Sequence, residues 1–177
     1  MEKVKLYIID LKGDELDSLS LKVKQKEASS FLKYSFIGKY TLGEYGKPLS
    51  DQCFFNISHS ASYVILAIGA KPIGVDVELI KEFKNELKAF ISSKEEIDYI
   101  KDELSFFQVW TSKESLLKCE GSGLANVIKE VPALPLDGEK VFKNNKYYSK
   151  SIVQDKYVIS VTLLGDEPFE IEVEYLD

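Results

Sequence analysis

The segment Ile73-Gly74-Val75-Asp76-Val77-Glu78-Leu79 reads as a β-strand that carries two carboxylates two residues apart. Side chains at i and i+2 of a strand share a face, so Asp76 and Glu78 converge on one point. Further on, Trp110-Thr111-Ser112-Lys113-Glu114-Ser115-Leu116-Leu117-Lys118 reads as a helix and offers Glu114 as a third carboxylate. A fold that gathers these three must place a positive charge among them. All-oxygen donors suit a hard cation such as Mg²⁺, with Mn²⁺ an alternative. An ion held this way keeps open positions for water and phosphate, so the pattern points to phosphate chemistry.

The 177 residues are 45% hydrophobic, enough for one compact unit or two small lobes. No apolar run reaches membrane-spanning length, and Met1–Tyr7 reads as a first strand rather than a signal peptide. The expectation is a cytoplasmic protein. Cys53 and Cys119 are too few for a disulfide framework and lack metal-ligand spacing. All 23 basic residues are lysine, so phosphate contacts must come from lysine, histidine, hydroxyls or backbone, never from a guanidinium. A net charge of −6 argues against nucleic-acid binding. Residues 20–50 nevertheless hold six lysines against Glu27 and Glu44, a local +4 that leaves −10 for the rest. That stretch is either a solvated helix face or a basic patch for an anionic ligand or partner.

Val4–Asp10 reads as a strand. Leu16–Tyr40 reads as one or two helices, with Leu19, Val23, Phe31, Tyr34 and Ile37 as apolar positions. Residues 43–48 form a turn-rich loop. Cys53–Ser58 is extended, Tyr63–Gly69 is a buried strand, and Lys71-Pro72 turns the chain into Ile73–Leu79. Helical segments follow at Glu82–Ile91, Ser93–Glu103 and Leu104–Cys119. Ser92 or Ser93 is the N-cap of a capping box closed by Glu95 or Glu96. Gly121-Ser122-Gly123 stops the last helix. Residues 120–140 are loop-like, and strands follow at Lys146–Val153, Lys156–Leu164 and Phe169–Tyr175. The last alternates strictly and suits a sheet edge with one wet face. Tyr63-Val64-Ile65 echoes Tyr157-Val158-Ile159, each closing a strand–helices–strand unit. The reading is α+β: two similar α/β lobes in tandem, residues 1–72 and 73–177, with the functional site in the cleft between them.

Taken singly, the candidate site residues have ordinary readings. Glu114 and Lys118 at i, i+4 match a surface ion pair, with Trp110 in the core. His59, the chain's one histidine, is either structural or, flanked by Ser58 and Ser60, a phosphate contact. Lys47, between Gly46 and Pro48, is either solvated or a cation aimed by a stiff loop.

Order and spacing together are more specific. Gly46-Lys47-Pro48, then Phe55-Asn56-Ile57-Ser58-His59-Ser60, then Gly74-Val75-Asp76-Val77-Glu78, then Phe107-x-x-Trp110-x-x-Lys113-Glu114-x-x-x-Lys118-x-x-Gly121 closely resembles the 4′-phosphopantetheinyl transferase superfamily. The likeness is to its surfactin-synthetase-type branch of monomeric, two-lobed members, whose lobes are related by a pseudo-twofold. The motifs span roughly residues 46–123.

The resemblance implies an enzyme that moves the 4′-phosphopantetheine arm of coenzyme A to a serine of an apo acyl or peptidyl carrier protein, releasing adenosine 3′,5′-bisphosphate. It implies Asp76, Glu78 and Glu114 as Mg²⁺ ligands. Lys47, Ser58 and His59 would bind CoA phosphates, and Lys118 would sit at the reacting phosphate. Glu95, rather than Glu96, would help deprotonate the carrier serine. Where the family has arginines for the nucleotide 3′-phosphate, this chain has Ser29, Ser30, Lys33 and Lys39, which implies a weaker grip through lysine point charges. The chain is also short for this branch, so trimmed loops are expected. Two other readings share these residues: a non-catalytic homologue that binds CoA or a carrier, and an unrelated Mg²⁺-dependent phosphohydrolase.

Overall fold

The structure, a computed structural model, describes residues 1–12, 17–122 and 127–177. The chain runs through β1 (Glu2–Asp10) and α1 (Ser18–Phe36) to a short ribbon, β2 (Thr41–Leu42) and β3 (Pro48–Leu49). A hairpin follows, β4 (Phe54–Ser60) and β5 (Tyr63–Gly69), then β6 (Ile73–Leu79) and three helices: α2 (Asn85–Ile91), α3 (Lys94–Tyr99) and α4 (Glu103–Glu120). It ends in β7 (Gly138–Phe142), β8 (Asn145–Gln154), β9 (Tyr157–Leu164) and β10 (Phe169–Leu176). The fold is mixed α+β, as expected.

Two four-stranded sheets have the orders β10-β1-β5-β4 and β6-β9-β8-β7. Three strands in each follow one plan. The first strand of the half pairs antiparallel with its last, which pairs antiparallel with the strand before it: β1-β5-β4 and β6-β9-β8. Three strands of each sheet therefore share one connectivity. Tyr63 and Tyr157, which open β5 and β9, stack with ring centroids 3.9 Å apart.

One strand crosses the expected division at residues 72 and 73. β10 returns to the first sheet and runs parallel to β1, with Glu2 opposite Phe169 and Ile9 opposite Leu176. Phe169 is buried in the central core and Ile171 packs against it, while Glu170, Glu172 and Glu174, together with Val173 and Tyr175, stay exposed at the sheet edge. The expected edge strand is thus present, at the edge of the other half.

The inner faces of the two sheets share one apolar cluster, with Leu6, Ile8, Ile65 and Ala67 meeting Val75, Val77, Ile159 and Val161. α1 covers the outer face of the first sheet through Ala28 and Leu32 against Val64 and Leu66. α4 covers the second through Phe106, Val109, Leu116 and Leu117 against Val158 and Tyr147. β5 and β9 are buried on both faces, hence their continuous apolar sequence.

Two expectations fail locally. On α1 the buried residues are Gln25, Ala28 and Leu32, with Ile37 buried just beyond its end, while Leu19, Val23, Phe31 and Tyr34 are exposed. The helix lies on the sheet along a narrow stripe, and Gln25 Nε2 donates to Ala61 O at 2.7 Å, so a polar residue takes a place that hydropathy assigned elsewhere. Leu16, the expected helix start, lies outside the described residues. The stretch 120–140 is not all loop, since a 3₁₀ turn at Ile128–Glu130 precedes β7. β7 pairs with β8, with Val141 exposed and Lys140 and Phe142 buried; that buried lysine broke the strand's apolar pattern. Gly123 lies outside the described residues. The capping box uses Ser93 and Glu96.

Candidate active site

The site begins with a missing side chain. A Cβ on Gly74 would lie 1.9 Å from Ser115 O and 2.4 Å from Cys119 N, so α4 rests directly on the backbone of β6. β6 alternates. Ile73, Val75 and Val77 face the central core, leaving Gly74, Asp76 and Glu78 on the face toward α4. The helix thereby brings Glu114 and Lys118 to Asp76, and Lys118 Nζ donates to Asp76 Oδ1 at 2.6 Å, Ser58 Oγ at 3.0 Å and Val75 O at 3.2 Å. Hydroxyl pairs under the helix fix its seat: Thr111 with Ser160, and Ser115 with Thr162, both at 2.8 Å.

The other wall is β4. Alternate β4 side chains bond the backbone of β6: Val75 N–H donates to Asn56 Oδ1 at 2.9 Å, Val77 N–H to Ser58 Oγ at 3.4 Å and Leu79 N–H to Ser60 Oγ at 3.1 Å. Both serine hydroxyls then donate onward, Ser58 to Asp76 Oδ1 at 3.1 Å and Ser60 to Glu78 Oε2 at 2.8 Å. Edge strands from two sheets are joined through side chains, and that seam orients two carboxylates. Asn56 and Ser60 were not anticipated as site residues; their signal was the alternation Asn-x-Ser-x-Ser within a strand.

The electrostatics follow from the packing. Burial raises the pKa of Asp76 despite Lys118. It also raises Glu78, with Asp76 adding repulsion. Glu114 is pushed up to about 7 by burial and then by Asp76, against the pull of Lys118. Asp76 Oδ2 and Glu114 Oε1 are buried and lack a hydrogen-bond partner. Lys118 is thus the lysine that pairs with the cluster, at Asp76, while Lys81 also acts on Glu78, and two carboxylate oxygens are left unsatisfied. Among the described residues no three His, Cys, Asp or Glu side chains form a ready-made metal cage; Lys118 lies against Asp76 instead. The donor set is still all carboxylate, and orphaned buried oxygens in a field of excess negative charge fit a hard divalent cation.

Two cavities flank this centre. A groove of about 620 Å³ runs along α1 and is lined by Lys22, Lys26, Lys33, His59, Asp76 and Lys118, among others. His59 is exposed there; the groove walls and the charge of Lys118 lower its imidazole pKa. Lys33 Nζ sits 5.0 Å from the Tyr40 ring centre. The second cavity, about 260 Å³, lies between the Gly46-Lys47-Pro48 turn and the end of α4, beside Asn56, Glu114 and Lys118.

The anticipated residues divide by role. Asp76, Glu114, Lys118, Lys33 and His59 face these cavities; Glu78, two residues from Asp76 on β6, lines neither and is bonded to Ser60. Lys47 lines the second cavity, but its ammonium donates to Lys118 O at 2.7 Å and Cys119 O at 3.0 Å, where it caps the C-terminus of α4. Ser58 is buried, lines the α1 groove beside Asp76, and is bonded to Asp76, Lys118 and Val77. Glu95 is exposed on the first turn of α3, and neither cavity is lined by it. Glu96 is buried, takes Lys113 Nζ at 2.7 Å and accepts from Ala133 N at 2.9 Å, so it ties α3 to α4 structurally.

Residues 72–162, just over half of the chain, match the family model of the 4′-phosphopantetheinyl transferase superfamily. That span holds Asp76, Glu78, Glu114 and Lys118. The chain is 41% identical over 113 residues to the 4′-phosphopantetheinyl transferase Sfp of Bacillus subtilis strain 168, across 58% of this chain and 46% of that protein. It is 38% identical over 88 residues to the 4′-phosphopantetheinyl transferase gsp of Aneurinibacillus migulanus, across 46% and 37%. The chain spans about half the length of the relatives it matches. With the seam, the carboxylates and the α4 lysine in the matched order, the chain belongs to the 4′-phosphopantetheinyl transferase superfamily.

Proposed function

We propose that this protein transfers the 4′-phosphopantetheine group of coenzyme A to a serine of an apo acyl or peptidyl carrier protein, as a cytoplasmic monomer. No helix among the described residues is long and apolar enough to cross a membrane. The observation that carries the reading is the pair of orphaned carboxylate oxygens, on Asp76 and Glu114, beside a lysine-lined groove. A diphosphate needs cations on one side and room on the other, and this junction offers both.

In the reaction the carrier serine oxygen bonds to the β-phosphorus of CoA. The bond from that phosphorus to the bridging oxygen breaks, and adenosine 3′,5′-bisphosphate leaves. Asp76, Glu78 and Glu114 are the residues that would hold Mg²⁺ or Mn²⁺, which when bound would neutralise the charge that develops on the departing adenosine 3′,5′-bisphosphate. Lys118 and His59 stand where they can stabilise the non-bridging oxygens. Lys33, with Lys22 and Lys26, lines the groove for the remaining phosphates. Ser58 and Lys47 line the two cavities, where they would contact CoA phosphates, and they also brace the site, Ser58 by holding Asp76 and Lys118, Lys47 by capping α4. Glu95, free at the surface of α3, is the candidate to accept the serine proton. The exposed Leu19, Val23, Phe31 and Tyr34 share α1 with Lys22, Lys24 and Lys26, a face suited to an acidic carrier.

The test is to incubate the chain with CoA, Mg²⁺ and several apo carrier proteins and to weigh the carriers by mass spectrometry. The expected result is a phosphopantetheine adduct on serine that is lost in Asp76→Ala and Glu114→Ala while both remain folded. No adduct on any carrier, with CoA still bound, would make this a binding homologue.

A further inference from the structure

We infer that Ser60 is a positioning residue for the metal site, acting through Glu78. The inference rests on the metal assignment proposed above. Glu78 differs from its two partners. Asp76 is held by both Lys118 and Ser58, and Glu114 is held by the rigid body of α4. Glu78 is half-buried near the end of β6, and among the described residues its carboxylate takes one hydrogen bond, from Ser60 Oγ at 2.8 Å. A glutamate has three side-chain torsions, so one bond decides where its oxygens point.

The hydroxyl performs two tasks at once, which only a group with both a donor and lone pairs can do. It accepts Leu79 N–H at 3.1 Å and donates to Glu78. Ser58 does the same one step earlier, accepting Val77 N–H and donating to Asp76. The spacing is identical: each serine serves the carboxylate 18 residues on and the amide 19 residues on. β4 and β6 thus run alongside in step, and Ser60 is fixed by the strand pairing before Glu78 is placed. Removing such an outer partner of a metal-binding carboxylate weakens metal affinity about tenfold or more.

The experiment measures Mn²⁺ binding by electron paramagnetic resonance on the full chain without CoA, for the wild type, Ser60→Ala, Ser60→Thr and Glu78→Gln. Melting temperature in EDTA is recorded for each. The expected result is about tenfold weaker Mn²⁺ binding in Ser60→Ala with folding retained, recovery in Ser60→Thr, and no further loss when Ser60→Ala is added to Glu78→Gln. If Ser60→Ala does not fold, Ser60→Cys carries the same measurement. Unchanged Mn²⁺ affinity in a folded variant that lacks the hydroxyl overturns the role of Ser60 alone. A wild type that binds no Mn²⁺ overturns the metal assignment and this inference with it.

Discussion

The most exacting test of the site's architecture is Gly74→Ala. The added Cβ would fall 1.9 Å from Ser115 O, 2.4 Å from Cys119 N and 3.0 Å from Lys118 C. All three are backbone atoms of α4, so no side chain can swing aside. Restoring contact at 3.4 Å from the Ser115 carbonyl requires α4 and β6 to part by about 1.5 Å. The hydroxyl bonds that seat α4, Thr111 to Ser160 and Ser115 to Thr162, are 2.8 Å long and would break or stretch. Overpacking of this kind costs about 3 kcal/mol, the upper part of the usual range. For a chain of this size that lowers the melting temperature by roughly 6–12 °C. Glu114 and Lys118 ride on the displaced helix, and misplacement by about 1 Å costs on the order of 100-fold in rate.

The assay pairs thermal unfolding with the carrier-modification reaction. Gly69→Ala is the control, because its Cβ would meet side-chain carbons of Ile73 and Leu163 at an ordinary 3.5 Å. It should stay close to wild type in stability and in rate. If Gly74→Ala melts within about 2 °C of wild type and keeps its activity, α4 does not rest on β6 and the geometry described for Glu114 and Lys118 is wrong.

Three further predictions concern the supports of the site. Burial lowers Lys140 from 10.5 to about 7 in the folded state. Between pH 7 and 10.5 the unfolded chain binds the extra proton, so this lysine makes stability rise with pH across that window; urea midpoints should show the rise in wild type and a flatter profile in Lys140→Met. Lys113 and Glu96 are almost fully buried as an ion pair, so Glu96→Gln should cost about 3 kcal/mol by leaving the ammonium charge to backbone carbonyls alone, and Glu96→Gln with Lys113→Met should cost less; equal losses in urea melts would deny that the pair is coupled. Lys47→Met should lose about 1–2 kcal/mol through uncapping α4, with CoA affinity measured calorimetrically falling less than about tenfold; a large affinity loss at unchanged stability would make phosphate contact, not capping, the main role of Lys47.

What the sequence made legible was whatever follows a period or a spacing. Asp76 and Glu78 two apart on a strand, and Glu114 and Lys118 four apart on a helix, do share faces in the fold. The double-sided burial of β5 was readable from its unbroken apolar run, and the wet edge of β10 from its strict alternation. Long-range choices were not readable. Nothing in Phe169–Leu176 indicates that it pairs with β1 rather than with its own half, because edge strands carry the same pattern wherever they dock. α1 misled because its contact stripe is narrow: a buried Gln25 and an exposed Tyr34 reverse what hydropathy assigns. Gly74 could be read as part of a motif, but its reason, a helix backbone within contact distance, exists only in three dimensions. The partners of Lys47, Ser58 and Glu96 are likewise tertiary and are not written in the spacing of the chain.

The seam between β4 and β6 explains why the chemistry sits where it does. Two edge strands that run in step would ordinarily pair by backbone at about 4.8 Å, closing the sheets into one and leaving no gap. Here asparagine and serine side chains stand in for one backbone, so the strands are held apart by the length of a side chain. The gap keeps polar groups in an otherwise apolar junction and lets hydroxyls reach the carboxylates of β6. α4 covers the gap from above, and Lys47 ties the end of α4 to the first half. Neither half holds the site alone. The carboxylates and Lys118 come from one, and Ser58, Ser60, His59 and the α1 lysines of the groove from the other. A substitution that let β4 and β6 pair directly would remove the site by perfecting the sheet.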